Sequence, residues 1–352
     1  MGAQELSEGA GGPSTGASRA RARASSTGRP PGVRSGAVST GYDGYAGYRR
    51  VTRSVEAADG TTLSYHTHLG PDGAAGEAEL AGRRTVLLSN GIGTSENFWR
   101  YLVDALSGDH RVVHWDYRGH GASGVARSGD YTLQTQADDL IRVTEAVMRG
   151  GKSGQPPVHV AFSMGVPVLM EAYRRRPELV PAMVLIAGAP DAPWNDVGLF
   201  RLPGFLPLVR RSLRAARPLL PLLRPVWGAA VDVRVVYPVG RLTGQLRSRA
   251  DRADIAEFML ALKRMDLGAY LETLVGLFDA DATDVLPKVA VPVLILGAEN
   301  DTMFPLQQVE RMRDALPHAR WHLVRDTGHG TLIEAGQEVA GQVRGFLQEV
   351  PA

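Results

Sequence analysis

The sequence predicts an α/β protein whose mostly parallel sheet is covered by helices on both faces. Three observations lead there. Short, nearly continuous apolar runs recur along the chain, segments of helical length and pattern separate most of them, and the alternation breaks once, over a strand-free stretch between Gly188 and Val291. Buried strands separated by helices require crossover connections, and these set parallel strands side by side between helical layers.

Taken in order, residues 1–47 are rich in Gly, Ala, Ser and Arg and almost without large aliphatics. Such a segment cannot bury enough apolar surface to offset its ordering entropy, and a disordered tail is expected. Its middle, SRARARASSTGRPPGVRS, has some transit-peptide character, but Glu5 and Glu8 precede it and no amphipathic pattern accompanies it, which favours a plain flexible tail. RRVTRSVEA and TTLSYHTHL alternate around Asp59-Gly60, a strong turn dipeptide, and read as an antiparallel pair. The runs TVLLSN, RVVHWD, PVHVAFS, AMVLIAG, VPVLILG and RWHLVRD follow as buried strands, with ENFWRYLVDAL and QTQADDLIRVTEAVM among the intervening helices. The break opens with FRLPGFLPLVRRSLRAARPLLPLLRPVW and closes with IAEFMLALKRMDLGAYLETLVGLF. It reads as a helical cap over 191–285, inserted into a core made of 48–190 and 286–352. Ligands of open α/β folds bind at the carboxyl edge of the sheet, so the cap is expected to cover a site there.

Composition narrows the chemistry. The 352 residues carry 39 basic against 37 acidic side chains, a balance that gives no electrostatic footprint for nucleic acid. With no cysteine, thiolate catalysis, disulfides, iron–sulfur clusters and Cys-based zinc sites are excluded. No metal or organic cofactor is implied. The amino terminus lacks an apolar signal-peptide core, and no run of about 18 apolar residues is long enough to span a bilayer, so a cytoplasmic location is expected. The arginines of the cap segment could meet anionic lipid, but the wet face of amphipathic cap helices is the preferred reading, and the proline density there opposes one long membrane-lying helix.

The chemistry-bearing residues sit where strands end. In VHVAFSMGVPVLM, Ser163 stands between a buried strand and a helix, with small residues, Ala161 and Gly165, two positions to either side. That is the context of a nucleophile elbow, whose sharp turn leaves no room for larger side chains. Ala161 replaces the more usual glycine. A serine nucleophile needs a base, and the base an orienting acid. Asp301 lies in AENDTMFP after one strand, and His329 lies in TGHGTLIEA after the next. His159, His318 and His322 fall in or beside strands and read as structural; Glu299 reads as solvated, and Asp191, at the opening of the cap, is a competing acid. Upstream, TVLLS runs into NGIGTSENFW. There Asn90 and Gly91 shape a turn from which the backbone N–H of Ile92, with that of Met164, could converge on a developing oxyanion. One such donor is typically worth ~3 kcal/mol of transition-state stabilisation.

With these residues together, the chain from about Tyr48 onward resembles the α/β-hydrolase superfamily, in the branch with a helical cap. The most specific piece is DYRGHGASG, Asp116 to Gly124, which is similar to the family's D-x-R-G-x-G-x-S loop. The resemblance implies a mostly parallel eight-stranded sheet, with Ser163 as nucleophile, Asp301 as acid and His329 as general base; it leaves Asp116 and His120 structural. Asn90 stands where the family often has histidine, which keeps the substrate class open. The function implied is hydrolysis of a carboxylic ester or lactone with an apolar acyl part. Acyl transfer, thioester or C–C bond hydrolysis on the same triad, and a non-catalytic ligand-binding role, are the alternatives. The partner expected is a small hydrophobic acyl substrate.

Overall fold

The computed structural model describes residues 34–40, 48–71, 76–94, 96–193, 204–243 and 246–351. Nine strands form one sheet: β1 (Arg34–Thr40), β2 (Tyr48–Glu56), β3 (Thr62–Pro71), β4 (Thr85–Ser89), β5 (Arg111–Trp115), β6 (Val158–Phe162), β7 (Met183–Ile186), β8 (Val293–Ala298) and β9 (Arg320–Val324). Their order is β1-β2-β3-β5-β4-β6-β7-β8-β9. Strands β1, β2, β3 and β5 pair antiparallel in turn, and every pairing from β5–β4 to β8–β9 is parallel.

The eight strands read from the sequence are β2 to β9. Strand β1 is an addition and a correction, because it lies within the stretch expected to be disordered. Its sequence, RSGAVST, has no apolar alternation to announce a strand; it is held by antiparallel pairing with β2. The rest of the expected tail, 1–33 and 41–47, lies outside the described residues.

Helices fill the gaps between strands. α1 (Glu77–Leu80) precedes β4, α2 (Arg100–Leu106) precedes β5, α3 (Leu133–Arg149) precedes β6 and α4 (Gly165–Arg175) precedes β7. Five helices separate β7 from β8: α5 (Phe205–Ala216), α6 (Leu220–Ala230), α7 (Val233–Thr243), α8 (Arg252–Arg264) and α9 (Leu267–Phe278). α10 (Leu306–Ala315) precedes β9, and α11 (Thr331–Glu334) and α12 (Gly336–Glu349) close the fold. Side chains alternate across each strand, so the sheet separates two cores. Leu87 of β4 joins α3 and α4 through Ala137, Leu140 and Leu169 on one face, while Val86 and Leu88 join α2 and α12 through Leu102, Val103 and Val343 on the other. Burying one such leucine contributes roughly 1.5–3 kcal/mol, and both layers are continuous.

Two features place a site at the carboxyl edge. The chain leaves β4 for β5 on one side and returns to β6 on the other, and the point where strand order reverses opens a crevice at the strand ends. The helices between β7 and β8 then pack onto that edge. An antiparallel bridge between Asp191 and Asp281 ties their two ends together. Arg100 pairs with Asp254 of α8, Phe98 meets Phe258 edge-on at 5.0 Å, and α9 approaches so closely that a Cβ on Gly276 would lie 2.3 Å from the Tyr131 carbonyl oxygen. No helix among the described residues is long and apolar enough to cross a membrane.

Candidate active site

Ser163 follows the last residue of β6 and is one of three non-glycine residues with positive φ among those described, at 54°. L-residues other than Asn and Asp avoid that region, and it is held here by bonds on both sides. The Ser163 N–H donates to the Ile186 carbonyl at 2.9 Å, and the Ser163 carbonyl accepts from Val166 N–H at 2.9 Å as α4 begins. The turn is crowded: a Cβ on Gly165 would sit 2.7 Å from the Ser89 carbonyl oxygen, whereas Ala161 fits fully buried within β6, opposite Ser89. A glycine is therefore required two residues after the serine, and an alanine is accommodated two residues before it.

Two other strand ends meet the serine. The Ser163 hydroxyl lies 2.8 Å from His329 Nε2, and His329 Nδ1 lies 2.8 Å from Asp301 Oδ2. The second Asp301 oxygen accepts from the backbone N–H groups of Met303 at 2.8 Å and Phe304 at 2.9 Å, which fixes the carboxylate. A carboxylate can only accept, so Nδ1 carries the proton, and the Nε2 lone pair is left to receive the serine hydroxyl. Phe162 and Phe304 flank the imidazole, with ring centroids 5.3 and 6.0 Å away. Asp301 is buried, and the His329 side chain keeps 27% of its surface exposed. Such an arrangement can take a proton from the hydroxyl as it attacks a carbonyl and return it to a leaving group.

The loop after β4 supplies the facing wall. Asn90 donates from Nδ2 to the Trp115 carbonyl at 3.0 Å and accepts from Trp99 Nε1, so its amide stitches the loop to β5 and to the turn before α2. This gives Asn90 a positioning task that uses both ends of the side chain. Among the described residues, the backbone N–H groups of Ile92 and Met164 donate to no other group, while Gly91 accepts from the Thr94 hydroxyl at 3.0 Å. Unspent backbone donors beside a hydroxyl can receive a developing oxyanion.

The remaining candidates are occupied elsewhere. Both ring nitrogens of His329 are taken, and the Asp191 carboxylate accepts from Gln308 Nε2 at 2.7 Å. Glu299, read as solvated, keeps 35% of its side chain exposed and also accepts from the Asp326 N–H at 2.9 Å, bracing the loop that leads to His329. His159 reaches the Leu179 carbonyl, His318 the Val291 carbonyl and His322 the Glu338 carboxylate. Asp116 accepts from the Ala122 N–H at 2.8 Å and from His66 at 2.9 Å. Burial would raise that carboxyl, but the His66 and Ala122 contacts outweigh burial and hold it below the usual range. His120 donates from Nδ1 to the Arg118 carbonyl, and burial lowers it to about 4.

Two supports were not signalled by sequence pattern. A Cβ on Gly188 would lie 2.5 Å from the Ser163 carbonyl oxygen, so the second residue after β7 must be glycine for the elbow to fit. Glu334, buried in α11, accepts from the Gly328 N–H at 3.1 Å and from the Arg247 N–H at 3.4 Å, joining the His329 loop to the segment between α7 and α8. Its pKa is raised, chiefly by burial. Its only sequence signal is a carboxylate inside the apolar run TLIEA.

His66, His114 and Asp116 bring ligand-type atoms within 4.8 Å of one another. The His66 and His114 rings are stacked at 4.4 Å with planes 17° apart, so their in-plane lone pairs run side by side instead of converging on one ion.

Fold and site geometry together define a hydrolase-type α/β protein, and comparison with known proteins agrees. Residues 84–336 match the alpha/beta hydrolase fold family, and the chain belongs to that family. It is similar to "Putative carbamate hydrolase RutD" of Caulobacter vibrioides, 29% identical over 303 residues covering 85% of this chain and 99% of the relative. Among solved structures it resembles an esterase of Exiguobacterium antarcticum (TM-score 0.62, 18% identity, covering 84% of this chain and 98% of that one). It also resembles the enol-lactonase of Burkholderia xenovorans LB400 (TM-score 0.61, 18% identity, covering 82% and 98%).

Proposed function

We propose that the chain is a serine hydrolase that cleaves a carboxylic ester or lactone through an acyl-enzyme. The observation that carries this reading is the unbroken relay from Ser163 Oγ through both nitrogens of His329 to Asp301, each contact 2.8 Å long. In this mechanism Ser163 attacks the substrate carbonyl while His329 takes its proton, and Asp301 stabilises the imidazolium that forms. The tetrahedral oxyanion is received by the N–H groups of Ile92 and Met164. His329 then protonates the leaving alkoxide, and a water activated by the same imidazole releases the acid.

An apolar acyl part is favoured by what lies over the oxyanion loop: a Cβ on Gly93 would lie 2.8 Å from Leu262 Cδ1 and 3.2 Å from the Tyr270 ring. In this role α8 and α9 act as a cap over the reacting carbonyl. The relatives support acyl chemistry of this kind, and the first of them raises a second reading in which the substrate is a carbamate with the same scissile carbonyl.

The test is Ser163→Ala. Hydrolysis of short p-nitrophenyl esters should fall by about 10⁴-fold or more, with loss of fluorophosphonate labelling and an unchanged thermal transition. Retained turnover in that variant would overturn the assignment.

A further inference from the structure

We propose that the outer face of α5–α7 is a docking surface for an anionic lipid bilayer. Leu219, Leu222, Leu223 and Val226 recur at i, i+3, i+4 and i+7 through α6 and the turn before it. Val235, Val239 and Leu242 recur at i, i+4 and i+7 along α7. Stripes of this period ordinarily face a core. Here both face solvent, with Leu222 exposed to 74% and Leu242 to 89%. Of the exposed large apolar side chains among the described residues, only Val125 and Leu260 lie outside α5–α7 and the turn joining α5 to α6. Apolar surface concentrated in this way marks an interaction site.

Charge identifies the occupant. Between Phe205 and Thr243 the chain carries seven arginines and a single carboxylate, Asp232. Among the described residues no carboxylate lies within ion-pair distance of Arg211, Arg217, Arg224 or Arg241. A second copy presenting the same face would set cations against cations, whereas an anionic leaflet complements it, with leucines entering the acyl boundary and guanidinium groups reaching headgroup phosphates. Arg217 and Arg224 line a cavity of ≈ 210 Å³ with Leu220, Leu267, Gly268 and Asp266. Pro225 and Pro238 lie inside α6 and α7, and neither helix is long enough to span a bilayer, so the helices lie in the interface plane.

The consequence for substrate is direct. α6 packs on α9 and α7 on α8, so docking would hold the lipid one helical layer from the Ser163 edge and let membrane-dissolved acyl compounds enter. That delivery rests on the proposed hydrolase reading, whereas the docking does not.

Flotation of the full chain with vesicles tests the docking without turnover. Binding is expected to vesicles of equimolar phosphatidylglycerol and phosphatidylcholine, and not to phosphatidylcholine alone. The pair Leu222→Glu, Leu242→Glu should weaken it at least about tenfold, and Arg217→Gln with Arg224→Gln roughly fivefold per arginine. Leu222→Gln with Leu242→Gln serves the same purpose should the glutamate pair fail to melt like wild type. Ser163→Ala should float like wild type, so failure of the active-site reading leaves this result standing. Equal binding to both vesicles, no binding to either, a dimer lost in the leucine variants in place of vesicle binding, or binding unchanged in the leucine and arginine variants (which would assign it to the arginine-rich amino-terminal stretch) would each overturn the proposal.

Discussion

Among the described residues, two hydroxyl–imidazole–carboxylate relays have nearly equal dimensions. One joins Ser163, His329 and Asp301 at 2.8 and 2.8 Å; the other joins Thr52, His66 and Asp116 at 2.9 and 2.9 Å. The ring is reversed between them, since His329 presents Nδ1 to its carboxylate and His66 presents Nε2. The surroundings differ more. Ser163 is lifted out of β6 by a strained turn, its imidazole is partly open to solvent, and unspent backbone donors lie beside it. Thr52 sits within β2, paired on both sides by β1 and β3, and His66 is 1% exposed. The second relay serves packing. His66 stacks on His114, which meets His68 at 2.8 Å, and Asp116 braces the loop around Ala122. A serine or threonine bonded to a histidine–aspartate pair is therefore not in itself a reacting site. What sets Ser163 apart is access, strain at its hydroxyl and unspent backbone N–H groups beside it.

The largest expected effect separates the two relays by rate. Asp301→Asn removes the acceptor that fixes the His329 tautomer and should lower kcat by about 10⁴-fold, with little change in the thermal transition. Asp116→Ala should leave kcat per folded molecule near wild type. Comparable losses of kcat in both variants would erase the distinction. Stability should show the opposite ranking. Asp116→Ala takes the acceptor from the buried His66 Nε2 and from the part-buried Ala122 N–H, at a cost of about 3 kcal/mol measured by urea unfolding.

The open relay was legible in the sequence and the closed one was not. Ser163, Asp301 and His329 each follow an apolar run and precede a helix, so strand ends pointed to them, and the family resemblance set Asp301 ahead of Asp191. The apolar runs likewise marked β4 to β9, and alternation around Asp59-Gly60 marked β2 and β3. His66 and His68 lie in TTLSYHTHL, whose alternation resembles a strand with one wet face. That polar face is in fact buried, because Glu96 and Arg50 pair over it, and period-two patterning cannot distinguish water from a buried polar network. Gly188 and Glu334 were missed for a related reason. Their tasks come from close approach to Ser163 and to Arg247, contacts between segments far apart in sequence. Strand β1 lacked any side-chain signal, since backbone pairing with β2 defines it.

The smallest expected effect concerns protons. Burial, with the nearby charges of His66 and Arg50, lowers His68 to about 3 from the ordinary 6.5. His114 is pushed down by burial as well, and the groups facing this pair are His66, Arg50, Glu96 and Asp116. The unfolded chain therefore takes up a proton at His68 near pH 6.5, while the folded chain resists until far lower. The stability linked to this residue is complete above pH 6.5 and is lost as pH falls from there toward 3, with a slope of up to about 1.4 kcal/mol per pH unit. His68→Gln should make the decline of the urea midpoint between pH 7 and pH 5 shallower by about one proton. Hydrolysis by the triad proposed above should proceed at an unchanged rate in this variant. An unchanged stability slope in that variant would mean that His68 already carries its proton in the folded state, and the buried flank would then be as open to water as the site itself.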